Sequence, residues 1–209
     1  WGYLAIIAAS VIIISINCAP LFSGIGETVK HAAFQVGSII TTTGYSTVDF
    51  NHWPELSKAV LVMLMFFGAC AGSTGGGIKI SRIMILVKSI VKEVKLLAHP
   101  KSTIKIKMSG RTVEHETIRA VNVFMAAYLL IFVVSAIIIS MDNFDFTTNF
   151  TAVAATLNNI GPGLSKVGPA ANFSLYSPLS KTVLIFDMLI GRLEIFPILI
   201  LFAPTTWKK

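Results

Sequence analysis

The chain has 209 residues, of which 54% are hydrophobic and only 13% charged, with a formal net charge of +7. Soluble domains carry about a quarter charged residues, so this composition excludes an ordinary water-exposed globule and points to a bilayer. A cationic excess can address nucleic acid, but beside four apolar spans a positive-inside bias explains it better. No nucleic-acid partner is expected.

The first apolar span runs from about Gly2 to Ile16, shorter than the roughly 20 residues a crossing needs. Trp1 is preceded by no initiator Met, and no basic n-region or cleavage site follows it. No signal peptide is expected, and the chain reads as the later part of a longer polypeptide. Glu27 to Ser38 then reads as a short helix with Val29, Ala32, Ala33 and Val36 apolar. Thr41-Thr42-Thr43-Gly44-Tyr45 follows, with a polar return through Asp49, Asn51 and His52; His52 and Trp53 read as an interfacial anchor.

The second span starts near Leu56 and reaches about Gly68, where the glycine-rich run 68–77 interrupts it. A helical pattern resumes from Ile78 to Ala98. Between Pro100 and Arg111, Ile104, Ile106 and Met108 alternate with lysines up to Ser109-Gly110, a hairpin signature. The third span runs from about Val121 to Met141. A second short helix, Thr147 to Leu157, has Asp145 as N-cap and leads into Asn158-Asn159-Ile160-Gly161-Pro162-Gly163. A polar return to Pro178 precedes the fourth span, Leu179 to Ala203, which contains Pro197.

The expected fold class is therefore an all-α membrane protein with two helix–pore-loop–helix repeats. Ten of the 17 Lys and Arg lie in the connection between spans two and three, from Lys79 to Arg119. That places residues 79–119 in the cytoplasm, and Trp207-Lys208-Lys209 agrees. Segments 17–56 and 142–178 then face outside. Neither short helix can cross a bilayer, and irregular backbone at membrane depth is tolerated only inside protein or lining water. Two re-entrant pore loops meet both conditions. Cys18 and Cys70 have no metal spacing and read as packing residues, with no disulfide framework. The histidines are scattered without metal spacing.

Thr-Thr-Thr-Gly-Tyr suits a dehydrated cation, because backbone carbonyls can replace its hydration shell. A pore helix ending at the loop turns its carbonyl end toward the ion. Gly44 and Gly161 can adopt backbone angles closed to other residues, and the threonine hydroxyls can pin the strand. Taken alone, TTTGY also fits a turn in an exterior loop. Flanked by a short helix and two spans, and echoed 117 positions later at Gly161, it reads as one strand of an ion filter.

Four blocks, ITTTGYSTVDFNHWP (40–54), GACAGSTGGGIKISR (68–82), TLNNIGPGLSKVGP (156–169) and GRLEIFPILILFAP (191–204), resemble the C-terminal half of the TrkH/KtrB family of potassium transporters, related to plant HKT proteins. The resemblance implies four repeats around one pore, with residues 1–99 as the third repeat, 100–118 as a cytoplasmic connector and 119–209 as the fourth. It implies a filter lined by carbonyls of Thr42, Thr43 and Gly44 and of Asn159, Ile160 and Gly161. Ile160 and Pro162 depart from the Thr-Gly-Tyr pattern, so the filter would be asymmetric.

The glycine run lacks the Gly-Lys-Ser/Thr of a phosphate loop and follows an apolar span, so nucleotide binding is not expected. A plain flexible kink remains open. The resemblance makes it a gating loop (Gly68, Gly72, Gly75, Gly76, Gly77) below the filter, with Lys79 and Arg82 anchoring it at the cytoplasmic surface or bonding its carbonyls. Asp187, Arg192 and Glu194 stand in the last span, where charge is costly. A structural ion pair with a neighbouring helix is one reading. By resemblance Arg192 lies in the pore just below the filter, a barrier to cations.

The resemblance further implies potassium uptake at a bacterial inner membrane, with K⁺ as transported ion and no organic cofactor. It implies a homodimer in lipid, with the first two repeats supplied upstream in the polypeptide and a cytosolic nucleotide-binding subunit of TrkA or KtrA type, for which the 100–111 hairpin is a candidate dock. Na⁺ permeation or coupling is the alternative, as is a non-conducting scaffold. No Ser-His-Asp, Cys-His or paired-carboxylate site is present, so an enzyme is not expected.

Overall fold

The computed structural model describes residues 1–68, 73, 75–100, 104–108, 110–193, 195, 197 and 200. Cys70, Gly72, Glu194, the end of the fourth expected span and Trp207-Lys208-Lys209 lie outside the described residues. Seven helices carry the described fold: α1 (Gly2–Cys18), α2 (Ile25–Ile40), α3 (Glu55–Phe66), α4 (Ile80–Ala98), α5 (His115–Ile139), α6 (Phe146–Leu157) and α7 (Pro178–Leu193). Two parallel residues pairs form β1 (Phe67–Gly68) with β2 (Ile78–Lys79), and an antiparallel hairpin joins β3 (Lys107–Met108) to β4 (Arg111–Thr112).

Among the described residues, two stretches are long and apolar enough to cross a membrane, Gly2–Leu21 and His115–Asp142. The second expected span divides. α3 has 12 residues, about 18 Å of helix, well short of a bilayer core of about 30 Å. The chain then leaves helical geometry, and β1 and β2 clasp each other across the glycine run. α4 restarts with a different character: Lys88, Lys92 and Lys95 interleave with apolar side chains along it.

α1, α2 and α3 pack on one another, as do α5, α6 and α7, while α3 meets α6 and α4 lies on α5. The junction of the two groups is aromatic. Phe66, Phe132 and Phe150, from α3, α5 and α6, lie with ring centroids 5.1–6.1 Å apart, the separation at which tilted aromatic pairs attract beyond simple burial. α5 presents one stripe to the core, Val121, Phe124, Tyr128, Phe132, Ser135 and Ile139, at the three- and four-residue steps of a helix face.

α6 is buried almost all round, from Thr151 through Leu157 without a break. Its polar side chains are therefore bonded, as burial demands. Thr151 Oγ1 donates to the Thr147 carbonyl (2.7 Å) and accepts Leu164 N–H (2.9 Å); Thr156 Oγ1 donates to the Ala152 carbonyl (2.8 Å). Tyr176 O–H donates to Asn149 Oδ1 (2.9 Å).

Two expectations need correction. Trp53 is no interfacial anchor: it is 4% exposed and meets Phe50 edge-on, because the short turn Phe50–His52 folds it inward. His52 alone stays in solvent, beside Asp49. α2 also extends two residues past each expected end, since Gly24 caps its start and a backbone motif closes its end.

Candidate functional site

α2 and α6 end in the same way. The Thr42 N–H donates to the Ile39 carbonyl (3.1 Å) and the Thr43 N–H to Ser38 (2.9 Å). In α6, Asn159 N–H donates to Thr156 (3.0 Å) and Ile160 N–H to Ala155 (2.8 Å). Both are Schellman caps, which tie off the last turn by bonding backward across it. The cap requires left-handed backbone at its turning residue, here Thr42 (φ 58°) and Asn159 (φ 54°) rather than glycine. Two residues on, Gly44 (φ 80°) and Gly161 (φ 111°) again hold positive φ, which glycine adopts without a Cβ penalty. The cap bonds and the positive-φ residues of one loop recur in the other at an offset of 117.

Among the described residues, no N–H or O–H donates to the carbonyls of Thr42, Thr43, Gly44, Asn159, Ile160 or Gly161. The two loops also touch. A Cβ on Gly44 would fall on the Ile160 carbonyl oxygen, with Pro162 Cδ 3.3 Å away. Of the six residues named from the sequence, Gly44 of the first loop and Ile160 of the second are in direct contact.

Side chains of α2 hold the return limb of the first loop alongside the helix. His31 Nδ1 bonds Thr47 Oγ1 (3.0 Å), Gln35 Nε2 donates to Ser46 Oγ (2.7 Å) and the Val48 carbonyl (3.3 Å), and Ser38 Oγ donates to the Tyr45 carbonyl (2.5 Å). Positions 31, 35 and 38 share a helix face, so successive turns bond successive residues of the strand. Sequence reading missed them by attending to the apolar face; the signal was a His-Gln-Ser stripe at four- and three-residue spacing. From the return limb of the first loop, Asn51 clamps the second loop: Ser165 N–H donates to Asn51 Oδ1 (2.8 Å), and Asn51 Nδ2 donates to the Ser165 carbonyl (3.1 Å).

Beneath the loops, the glycine run is packed rather than loose at its described positions. Cβ atoms on Gly76 and on Gly191 of α7 would fall on the carbonyl oxygens of Asn158 and Leu157, at the end of α6. Gly68 would meet the Gly76 carbonyl oxygen at 2.6 Å. Gly75, Gly77, Lys79, Arg82, Tyr128 and Arg192 line one cavity here. Three cations therefore share it, and the Arg82 guanidinium lies 4.0 Å from the Phe124 ring centre, within cation–π range. Asp187 is separate. It is 1% exposed and accepts Ser135 Oγ–H (2.7 Å) from α5, a hydrogen bond between helices where a structural ion pair was one expectation.

Asp145 caps α6 as expected, accepting the Thr148 hydroxyl (2.6 Å) and the Thr148 N–H (3.0 Å). Thr148's hydroxyl first, and its N–H next after the opposing effect of burial, hold the Asp145 carboxyl below the usual range. A lowered folded pKa means the bond stabilises above the unfolded carboxylate range and is lost as pH falls through the folded value. Asp145→Ala should therefore cost about 0.5 kcal/mol at pH 7, the low end for a cap because Asp145 is exposed. Thermal unfolding of the full-length protein should show that deficit at pH 7 and lose it near the acid limit; an equal deficit at both would rule the ionised cap out.

Two short helices with matching caps, loops in contact with each other and flanking apolar helices define a mainly helical protein with two apolar stretches long enough to cross a membrane among the described residues. Residues 12–209 match the family model described as TrkH, cation transport protein, and the chain belongs to that family. It is 42% identical over 189 residues to the Trk system potassium uptake protein TrkH of Escherichia coli K12, covering 90% of this chain and 39% of that protein. It is 35% identical over 179 residues to TrkG of the same strain, covering 86% and 36%. The crystal structure of the potassium transporter TrkH from Vibrio parahaemolyticus superposes with a TM-score of 0.87 at 37% identity, covering 99% of this chain and 44% of that one. The chain thus spans about two-fifths of the length of the curated relatives it matches.

Proposed function

We propose that this chain is the third and fourth pore repeats (1–99 and 119–209, joined by the 100–118 connector) of a potassium-uptake channel or transporter. K⁺ would pass through a filter built from the carbonyls of Thr42, Thr43, Gly44, Asn159, Ile160 and Gly161. The observation that carries the reading is the pair of matching Schellman caps, each followed by carbonyls to which no described group donates. Carbonyl oxygens in that condition are favourable ligands for a cation stripped of water. The capping helices add the negative ends of their dipoles.

Gly44 receives the Ile160 strand on one side. Nothing among the described residues lies within 4 Å of the corresponding point on Gly161, which is where a further strand would fit in a ring of four. The first two repeats would supply it. The glycine run is read as a gate beneath the filter (Gly68, Gly72, Gly75, Gly76, Gly77), with Lys79 and Arg82 fixing its cytoplasmic end and Arg192 as a positive barrier in the same cavity. Residues 79–119 and the C-terminus would face the cytoplasm of a bacterial inner membrane. A homodimer and a TrkA- or KtrA-type nucleotide-binding subunit are the proposed partners, the latter docking near the β3–β4 hairpin. No covalent chemistry is required.

Flux of K⁺, Rb⁺ and Na⁺ into vesicles holding the full-length protein tests this reading. K⁺ and Rb⁺ should enter well ahead of Na⁺, and shortening the 68–77 loop should raise flux. Equal or preferred Na⁺ entry would favour a Na⁺-permeable member of the family. Unchanged or lower flux from a normally assembled loop deletion would remove the gate.

A further inference from the structure

The two matching helix caps differ at the residue that opens each turn, Thr41 in one and Asn158 in the other. At the end of α2, the Thr41 hydroxyl turns back on its own helix, donating to the Gly37 carbonyl (2.7 Å). At the end of α6 the same position is Asn158, and it is fully buried. Thr41 and Asn158 both bond back to the carbonyl four residues earlier, so what sets Asn158 apart is its Oδ1, which the first cap has no counterpart for. A buried amide must be bonded at both ends. Asn158 Nδ2 donates to the Ala154 carbonyl (2.8 Å), and Asn158 Oδ1 accepts the Tyr128 hydroxyl (3.0 Å) from α5.

The same asparagine touches the glycine run. Its carbonyl occupies the place where a Gly76 side chain would be, and its Oδ1 lies 3.3 Å from where a Gly77 Cβ would be. The next residue, Asn159, is the left-handed pivot of the filter-like loop and is itself tied to the Met188 carbonyl of α7 through Nδ2 (3.0 Å). One turn along α5 from Tyr128, Phe124 stacks on it with centroids 6.3 Å apart, and Arg82 covers Phe124. Both the glycine run and the helix it leads into therefore rest on one column: Arg82, Phe124, Tyr128, Asn158.

We propose that Tyr128 is a positioning residue whose hydroxyl, through Asn158, locks the glycine run and the second filter strand into one arrangement. Displacing the run then strips the packing from the backbone that leads into Ile160 and Gly161. Gate position and ion selectivity become coupled. This rests on the filter reading above and adds a specific link to it. Phe replaces the hydroxyl alone and keeps the ring in the column, so Tyr128→Phe preserves packing while orphaning Asn158 Oδ1.

The test uses the full-length protein with Cys18 and Cys70 replaced by alanine. Tyr128→Phe should lower the K⁺-over-Na⁺ flux ratio by about fivefold, the scale of one buried hydrogen bond. With Ser73→Cys added as a reporter on the run, it should also speed thiol labelling by a membrane-impermeant reagent. A residue that merely packs would move neither. Gly44→Ala is the control for the filter itself. If Gly44→Ala destroys selectivity and Tyr128→Phe leaves either readout unchanged, the coupling is overturned and the filter stands. If Gly44→Ala leaves selectivity intact, the filter reading falls and the coupling falls with it.

Discussion

Gly44→Ala should abolish most selective K⁺ uptake, lowering the rate at least about tenfold and bringing Na⁺ entry closer to K⁺ entry. Two independent costs converge at this residue. Its φ of 80° is left-handed, where a Cβ costs about 1–2 kcal/mol. The added methyl would also occupy the position of the Ile160 carbonyl oxygen, 3.2 Å from the Ile160 carbonyl carbon and 3.3 Å from Pro162 Cδ. Backbone and a proline ring cannot swing aside as a flexible side chain can, so the facing strand must shift. That strand carries the carbonyls proposed to line the pore on the other side, so one methyl disturbs two strands. Uptake by vesicles containing the full-length variant, normalised to folded protein, measures the effect. Wild-type flux with wild-type selectivity would show that these carbonyls do not carry the ion.

The glycines that matter here were legible in the sequence because they stand at fixed distances from short helical patterns, and local chemistry alone demands them. Asp145 was legible for the same reason: an N-cap is decided within three residues. What could not be read was what those loops lean on. The Asn51–Ser165 clamp joins residues 114 apart, and the Tyr128–Asn158 bond joins two helices; neither leaves a periodic trace. Trp53 was misplaced because an aromatic beside a polar loop suits an interface or a core equally, and only packing decides. The second span looked continuous apart from its glycines. The length of α3, and the change to a lysine-bearing α4, show that the interruption separates two helices of different character.

Arg192→Ala should raise K⁺ flux by about an order of magnitude. Arg192 borders the cavity beneath the second loop, next to Gly191, which packs against the end of α6. A unit charge about 8 Å from a permeating ion, at an effective dielectric of about 20, opposes it by roughly 2 kcal/mol. That is worth about thirtyfold in rate. Arg192 is exposed to solvent, so water and salt reduce the figure, and Lys79 and Arg82 remain in the same cavity to maintain part of the barrier. A gain therefore separates the barrier from a structural role, since losing a structural cation lowers activity through misfolding. The salt dependence separates them further: the gain should shrink as ionic strength rises, because screening already removes part of the barrier from the wild type. Reduced uptake at normal expression would instead identify Arg192 as a residue that holds α7 in place.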